Sequence, residues 1–321
     1  MYGGDPGKRA VKTMSGKEED NQKQKCGFVS VIGLPNAGKS TLVNALVGTK
    51  VSIVSRKVQT TRSRILGIAL HDEAQIVLID TPGIFKPVKT LEKAMVKAAL
   101  SSFDEADLVV HIVDVAAKNP LQKNAEIQKE LTNRKAKNAL LVLNKIDKVK
   151  KETLLALTQA LNDGAAYMAT FMISALEGKG VGDLKTCLAE KVPEGIWMYD
   201  PDQITDMPAR LMAAEITREK IYDLVHQEIP YSVFVRTESW ENFNNGSIKI
   251  SQLIDVQTES QKKILLGKGG AKIKAIGLAA RKELEEIFDA RIHLKTLVRV
   301  QKNWVDCAEN YELFGLDLPE Q

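Results

Sequence analysis

One octapeptide limits what this chain can fold into more than any other stretch. Gly33-Leu34-Pro35-Asn36-Ala37-Gly38-Lys39-Ser40 fits the pattern GxxxxGK[ST]. It follows a β-branched run at 28–32 and precedes a helical pattern at 39–47. A loop between a strand and a helix N-terminus presents main-chain N–H groups and a favourable dipole to an anion. Phosphate is the expected ligand. Gly33 and Gly38 permit the tight turn, Leu34, Pro35, Asn36, Ala37 and Thr41 complete the cradle, and Lys39 reaches the outer phosphates. The Ser40 hydroxyl is a candidate Mg²⁺ ligand.

The surrounding pattern agrees. Strand-like runs recur at 28–32, 65–70, 75–79, 108–113, 139–143 and 171–173, with helical patterns at 39–47, 91–102, 124–132 and 154–161. Such alternation predicts a mostly parallel sheet with helices on both faces, whose ligands lie beyond the carboxyl ends of the strands. The polar motifs fall there. Asp80-Thr81-Pro82-Gly83 follows the third run. Asp80 is placed to hold Mg²⁺ through water, and the Gly83 N–H to contact a terminal phosphate. Asn144-Lys145-Ile146-Asp147 follows the run at 139–143. An ionised Asp only accepts hydrogen bonds, so Asp147 favours guanine, which offers two adjacent donors, over adenine. Ser174-Ala175-Leu176 follows the last run and can close over the base.

Residues 51–66 separate the first two motifs and carry Arg56, Lys57, Gln59, Thr60, Thr61, Arg62 and Arg64. A Thr here, Thr61 by preference, completes a Mg²⁺ shell while the terminal phosphate is present. The basic residues are open to two readings, a basic surface loop or an internal arginine finger. Ile84 stands after Gly83, where a side chain that orients the attacking water is often Gln. Slow intrinsic hydrolysis is expected.

Residues 193–205 carry Pro193, Gly195 and Pro201 and read as a linker, after which the pattern changes. A helix at 208–226 is followed by strands at 231–237 and 247–256, two helices flanking 267–270, and a strand at 291–300. Gly267-Lys268-Gly269-Gly270 fits the GxxG loop that clamps a nucleic-acid backbone. Between 260 and 282 every charged side chain is basic: Lys262, Lys263, Lys268, Lys272, Lys274, Arg281 and Lys282. The overall charge of +4 does not reveal this cluster, which suits a polyanion. Ile273 lies within it as a further RNA-contact candidate, while Ile264, Leu265 and Ile276 read mainly as helix core.

No apolar run reaches the roughly 18 residues of a membrane span, and no secretory signal is legible. Cys26, Cys187 and Cys307 lie far apart and form no CxxC, which favours a reducing compartment over a disulfide or zinc framework. His111 and His293 sit in apolar runs and read as core histidines. The expected division is a flexible tail at 1–25, a nucleotide domain at 26–192, the linker at 193–205, an RNA-binding domain at 206–306 and a tail at 307–321.

Taken together, these motifs resemble the Era family, along with Glu215-Ile216-Thr217-Arg218-Glu219-Lys220, Ser260-Gln261-Lys262, Val298-Arg299-Val300 and Trp304. The resemblance implies an α/β P-loop GTPase domain followed by an α+β type II KH domain. It implies GTP and GDP as ligands, Mg²⁺ as cofactor, and slow hydrolysis of GTP to GDP and phosphate. It further implies binding to the 3′ end of 16S ribosomal RNA, a role in small ribosomal subunit biogenesis, and a cytoplasmic monomer that sometimes associates with the inner face of the cell membrane. Asn36 resembles the Asn that binds K⁺ in cation-assisted members of this GTPase class. Leu297 stands where the family usually has Trp, Thr296 where it has an aliphatic residue, and Thr217 in place of a common Ile.

Overall fold

The computed structural model describes residues 24–55, 57, 60–88, 90–225, 229–302, 304 and 316. Gln59, Arg56, Cys307, residues 1–23 of the expected tail and all of 307–321 except Leu316 lie outside them.

Six strands form one sheet: β1 (Lys25–Ile32), β2 (Ile65–His71), β3 (Ala74–Asp80), β4 (Leu108–Asp114), β5 (Ala139–Asn144) and β6 (Ala169–Ile173), in the order β2-β3-β1-β4-β5-β6. All neighbours are parallel except β2 and β3, which pair antiparallel across a tight connection. The near-continuous apolar runs of β3, β4 and β5 are buried throughout or nearly so, because helices cover both faces. On one face, Leu42 of α1 (Lys39–Val47) and Leu184 and Leu188 of α5 (Val181–Lys191) pack on Val29, Val110 and Val142. On the other, Phe103 of α2 (Thr90–Glu105) and Ile127 and Leu131 of α3 (Pro120–Asn133) pack on Ile32 and Val109. Helix α4 (Lys151–Gly164) adds Leu154, Leu157 and Leu161 over β4 and β5.

His111 is fully buried, its ring nitrogens bonded to the Tyr167 hydroxyl (2.7 Å) and Asn124 Oδ1 (3.1 Å), and burial lowers its pKa to about 4. A folded-state pKa below the unfolded value of about 6.5 makes the neutral ring the one compatible with the fold, so stability is lost as pH falls from about 6.5 toward 4. The urea midpoint is expected to drop between pH 7.5 and 5.5 by the equivalent of about 1 kcal/mol, and the drop should shrink in His111→Gln. An equal pH response in both proteins would contradict this. His293, by contrast, is exposed on the last strand beside Phe243, so it is not a core residue.

The segment expected to be a linker is a strap laid along the sheet. The Gln75 amide accepts from the Met198 and Tyr199 N–H groups (2.9 and 3.0 Å) and donates to the Tyr199 carbonyl. Trp197 and Tyr199 pack against Cys26, Leu66, Val77 and Ile79.

The second unit comprises α6 (Ala209–Leu224), β7 (Phe234–Asn242), β8 (Ile248–Val256), α7 (Glu259–Leu266), α8 (Ala271–Phe288) and β9 (Ile292–Val300). Strands β7 and β8 run antiparallel, β8 and β9 parallel. Ile221, Val235, Ile254, Leu265, Ile276 and Val298 form its core. The sequence placed the first strand at 231–237. Instead Ile229–Ser232 forms a 3₁₀ turn, and the strand begins at Phe234 and extends to Asn242. The carbonyls thereby freed are used elsewhere: Ser232 accepts from the Trp304 indole (3.1 Å) and Val233 from Arg62 (2.8 Å). Thr217 is buried on α6 and donates to Gln252 of β8 (2.6 Å), a polar cross-link that an aliphatic residue could not make.

Candidate functional site: a phosphate loop and the segment that bridges it to the second domain

The loop from Gly33 to Gly38 leaves the end of β1 and enters α1. Gly38, at the N-cap of helix α1, has no side chain to accept from the first-turn amides. Gly38 has φ +101°, and a Cβ there would lie 2.2 Å from Asn144 Nδ2. Only Gly fits both the left-handed backbone and that close approach. Asn144 Nδ2 donates to the Ala37 carbonyl (2.8 Å), while its Oδ1 accepts from the Ala175 N–H (3.0 Å). One buried side chain thus staples the phosphate loop to the Ser174–Ala175 turn. Lys145 continues the staple, donating to the Asn36 carbonyl (2.7 Å) and to Asp114 (2.5 Å). Asp147 is exposed, its carboxyl held below the usual range chiefly by the Ser174 hydroxyl.

Lys39 is buried and donates to the Gly33 and Leu34 carbonyls (3.3 and 3.0 Å). Desolvation lowers its pKa to about 8, although Asp80 opposes this. Asp80, at the end of β3, is fully buried. Its Oδ2 accepts from Ser40 (2.7 Å) and Ser52 (2.6 Å), with Thr61 at 3.4 Å. Burial pushes its carboxyl pKa up, and the Ser52 and Ser40 hydroxyls and Lys39 pull it back. The Ser40 and Thr61 hydroxyls lie 2.9 Å apart. Asp80 Oδ1 is buried with no hydrogen-bond partner among the described residues. A buried carboxylate with one oxygen unpaired and the other shared with the Ser40 and Thr61 hydroxyls offers the donor set of a hard cation such as Mg²⁺, which needs few protein ligands because phosphate and water supply the rest. The residues fit that ion.

In the Asp80–Gly83 loop, Thr81 donates to the Val31 carbonyl (2.8 Å) and the Ile84 N–H to the Gly33 carbonyl (3.0 Å). Pro82 and Gly83 are buried. A Cβ on Gly83 would lie 2.7 Å from the Pro35 nitrogen, so this loop rests directly on the phosphate loop. Ile84 packs with Ile32 and Leu34, and its aliphatic side chain has no means of orienting water.

The described residues between Lys50 and Arg62 run from this site onto α6 of the second unit. Ile53 is buried among Met212, Ala213 and Ile216. The Val54 N–H donates to Glu219 (2.8 Å), and Lys50 pairs with Glu219 (2.6 Å) and Glu283. Arg218 donates to the Thr60 carbonyl. Arg62 is buried, with its guanidinium bonded to the Val233 carbonyl and 5.6 Å from the Trp304 ring centre. Lys57 donates to the Tyr222 and Val225 carbonyls, and Arg64 pairs with Glu105. Of the two readings of the basic loop, neither holds for Arg62. It is no exposed loop cation, and it points into the second unit instead of at the phosphate site.

Sequence reasoning missed Ser52, which carries no motif. It named Glu215 and Arg218 without a role: an i,i+3 pair of opposite charge is visible in sequence, but that it faces inward is not.

On the second unit, Lys268 and Gly269 are exposed between α7 and α8. Gly269 and Gly270 have φ +61° and +78°, and nothing lies within 4 Å of a Cβ built on either. Backbone conformation fixes these glycines, and the space over them is open. Thr258 caps α7 in a box with Gln261. Lys272 and Ile273 follow on the first turn of α8, both half-buried, with Ile273 packed on the core cluster.

A phosphate loop, a carboxylate-bearing strand end and an Asn-Lys-x-Asp loop on a mostly parallel sheet, joined to a unit with a GxxG turn, define a P-loop GTPase fused to a KH module. Two family models agree: one described as 50S ribosome-binding GTPase matches residues 28–145, and one described as KH domain matches 228–305. The chain is 52% identical over 304 residues to GTPase Era of Afipia carboxidovorans, covering 95% of this chain and 98% of that one. It is 52% identical over 294 residues to GTPase Era of Rhizobium meliloti, covering 92% and 93%. A solved structure of Era with MgGDPNP and nucleotides 1506–1542 of 16S ribosomal RNA superposes with a TM-score of 0.85 at 37% identity, covering 91% of this chain and 99% of that one. An Aquifex aeolicus Era variant bound to GDP and aluminium fluoride gives the same values. The chain belongs to the Era family of GTPases. No helix among the described residues is long and apolar enough to cross a membrane.

Proposed function

We propose that this protein is a GTP-hydrolysing switch that grips the 3′ end of 16S ribosomal RNA and assists small-subunit assembly. One observation carries the reading. Ser52 and Thr61 reach the Asp80 site, while Ile53, Val54 and Arg62, their immediate neighbours in sequence, reach the second unit. Occupancy of the first site is therefore physically connected to the placement of the second. The Era structure that holds a triphosphate analogue and this RNA together supports the partner.

In this reading the first-turn amides of α1 and Lys39 bind the phosphates, and Asn144 fixes the loop. Asp147 reads guanine, and the Ser174–Ala175 turn closes over the base. Ser40, Thr61 and Asp80 hold Mg²⁺, which neutralises charge on the outer phosphates. Gly83 reports the terminal phosphate. Asn36, in the left-handed region at φ 61°, is the residue through which K⁺ would assist turnover. Faster hydrolysis in K⁺ than in Na⁺, lost in Asn36→Ala, is the corresponding result. Coupling is reciprocal, so the RNA alters GTP affinity by the factor by which GTP alters RNA affinity.

The test is filter binding of an oligonucleotide of the 16S 3′ end at several salt concentrations, with a triphosphate analogue or GDP. Tighter binding with the analogue and a negative slope of log affinity on log salt are expected. Replacing both Lys268 and Lys272 by Ala should flatten that slope by roughly one to two units, since each phosphate contact contributes about 0.7 on a single strand. Binding that ignores both nucleotide and salt would refute the proposal.

A further inference from the structure

The segment that reaches the metal site is held from the other domain by a buried charge pair. Arg218 and Glu215, one turn apart on α6, are 1% and 3% exposed. The Arg218 Nε donates to Glu215 Oε1 at 2.8 Å and its Nη2 to Glu215 Oε2, so the carboxylate fixes the guanidinium in both direction and plane. Burial opposes the charge on Arg218, and the Glu215 carboxylate outweighs it and holds the arginine's pKa above its ordinary value. The same Nη2 donates to the Thr60 carbonyl. The Tyr222 ring lies 5.3 Å from the guanidinium carbon and closes the other side.

Burying an ion pair is an inefficient way to stabilise a fold, because desolvation consumes most of the attraction. The pair does not lie on the GxxG turn or on α7 and α8, so the RNA surface does not explain it. What it touches is the peptide immediately before Thr61, whose hydroxyl lies beside Ser40 and Asp80. On the following residue, Arg62 is seated in the same domain. Thr61 is therefore clasped on both sides by groups of the KH unit, while its own side chain belongs to the GTP site.

We infer that Arg218, aligned by Glu215, is a positioning residue of the GTPase centre: it holds the Thr60 carbonyl so that Thr61 meets the metal, making the KH domain part of the triphosphate site. This rests on the proposed function and adds the direction of the coupling, since the RNA-binding domain completes the nucleotide site as well as responding to it. A loop closed by the terminal phosphate and metal is held in the triphosphate state and released in the diphosphate state. The Arg218 contact therefore acts on triphosphate binding and turnover and leaves GDP untouched.

The full-length chain is compared with Arg218→Gln, Arg218→Lys and the double variant Glu215→Met/Arg218→Met. The double variant replaces the buried pair with apolar groups and so preserves folding where the single variant fails. Affinities for fluorescent GDP and GDPNP are measured across a Mg²⁺ titration, together with hydrolysis. In the Gln and double variants, GDPNP affinity and turnover should fall about tenfold. Half-saturation should move to higher Mg²⁺, GDP affinity should change less than twofold, and Lys should restore part of the loss. Equal losses for GDP and GDPNP would assign Arg218 a merely structural role and overturn the inference, as would a folded variant with wild-type Mg²⁺ dependence. Wild-type protein that neither hydrolyses GTP nor distinguishes GDPNP from GDP would overturn the function itself, so the two failures are distinguishable.

Discussion

Asp147→Asn is expected to lower affinity for GDP and GTP a hundred- to a thousandfold and to make xanthosine nucleotides the better ligands. Asp147, to which the proposed function gives the reading of guanine, is exposed, and the Ser174 hydroxyl favours its ionised form. A carboxylate with no proton can only accept, and guanine offers adjacent N–H donors at N1 and the exocyclic amine. Charge-assisted hydrogen bonds are about twice as strong as neutral ones, so losing the charge and mismatching one donor together weaken binding by about two to three powers of ten. Asn presents one acceptor and one donor, which suits xanthine, where a carbonyl replaces the amine. The substitution leaves the phosphate cradle alone, because the staple runs through Asn144 and Lys145. Competition of GDP and XDP against a fluorescent nucleotide measures it. A variant that still prefers guanine would remove Asp147 from the base site. Competition by ATP equal to that of GTP in the wild type would do the same.

Lys39→Ala is expected to weaken triphosphate binding by two powers of ten or more, and the wild type should show a pH signature that the variant lacks. The ammonium is buried against two carbonyls, and its pKa is lowered to about 8 by desolvation. Entry of a polyphosphate supplies the missing countercharge and raises that pKa. Below pH 8 the lysine is protonated in both states, and binding takes up no proton at this site. Above pH 8 the free protein has lost the proton and must regain it on binding. Affinity therefore falls with rising pH, by at most tenfold per unit. Calorimetry at pH 9 in two buffers of different ionisation enthalpy counts the protons taken up. Guanine N1–H also titrates in this region, so the difference between wild type and Lys39→Ala is the quantity to read. Identical proton uptake in the two proteins would show that Lys39 carries its charge unperturbed.

Much of the nucleotide site is legible in the chain because its chemistry is local. The cradle needs consecutive residues with particular backbone freedom, so Gly33–Ser40 announces itself as a string. Asp80 and Asn144 are legible because each lies at the end of a buried strand, and burial writes a continuous apolar run into the sequence. The GxxG turn is legible for the same reason as the phosphate loop. His293 and the start of β7 were misplaced, because short apolar runs do not say which residues face solvent or where a 3₁₀ turn interrupts the strand.

Local spacing and residue chemistry thus determined the glycine-bearing phosphate loop, the Asn-Lys-x-Asp loop and the cationic glycine turn, each made by neighbours along the chain. Tertiary structure alone decided how they are joined. Ser52 meets Asp80 across 28 positions, Arg218 meets Thr60 across 158, and Arg62 meets Val233 across 171. Contacts of such separation depend on the mutual packing of two units. A polar side chain turned inward by that packing reads, in sequence, the same as one left in water.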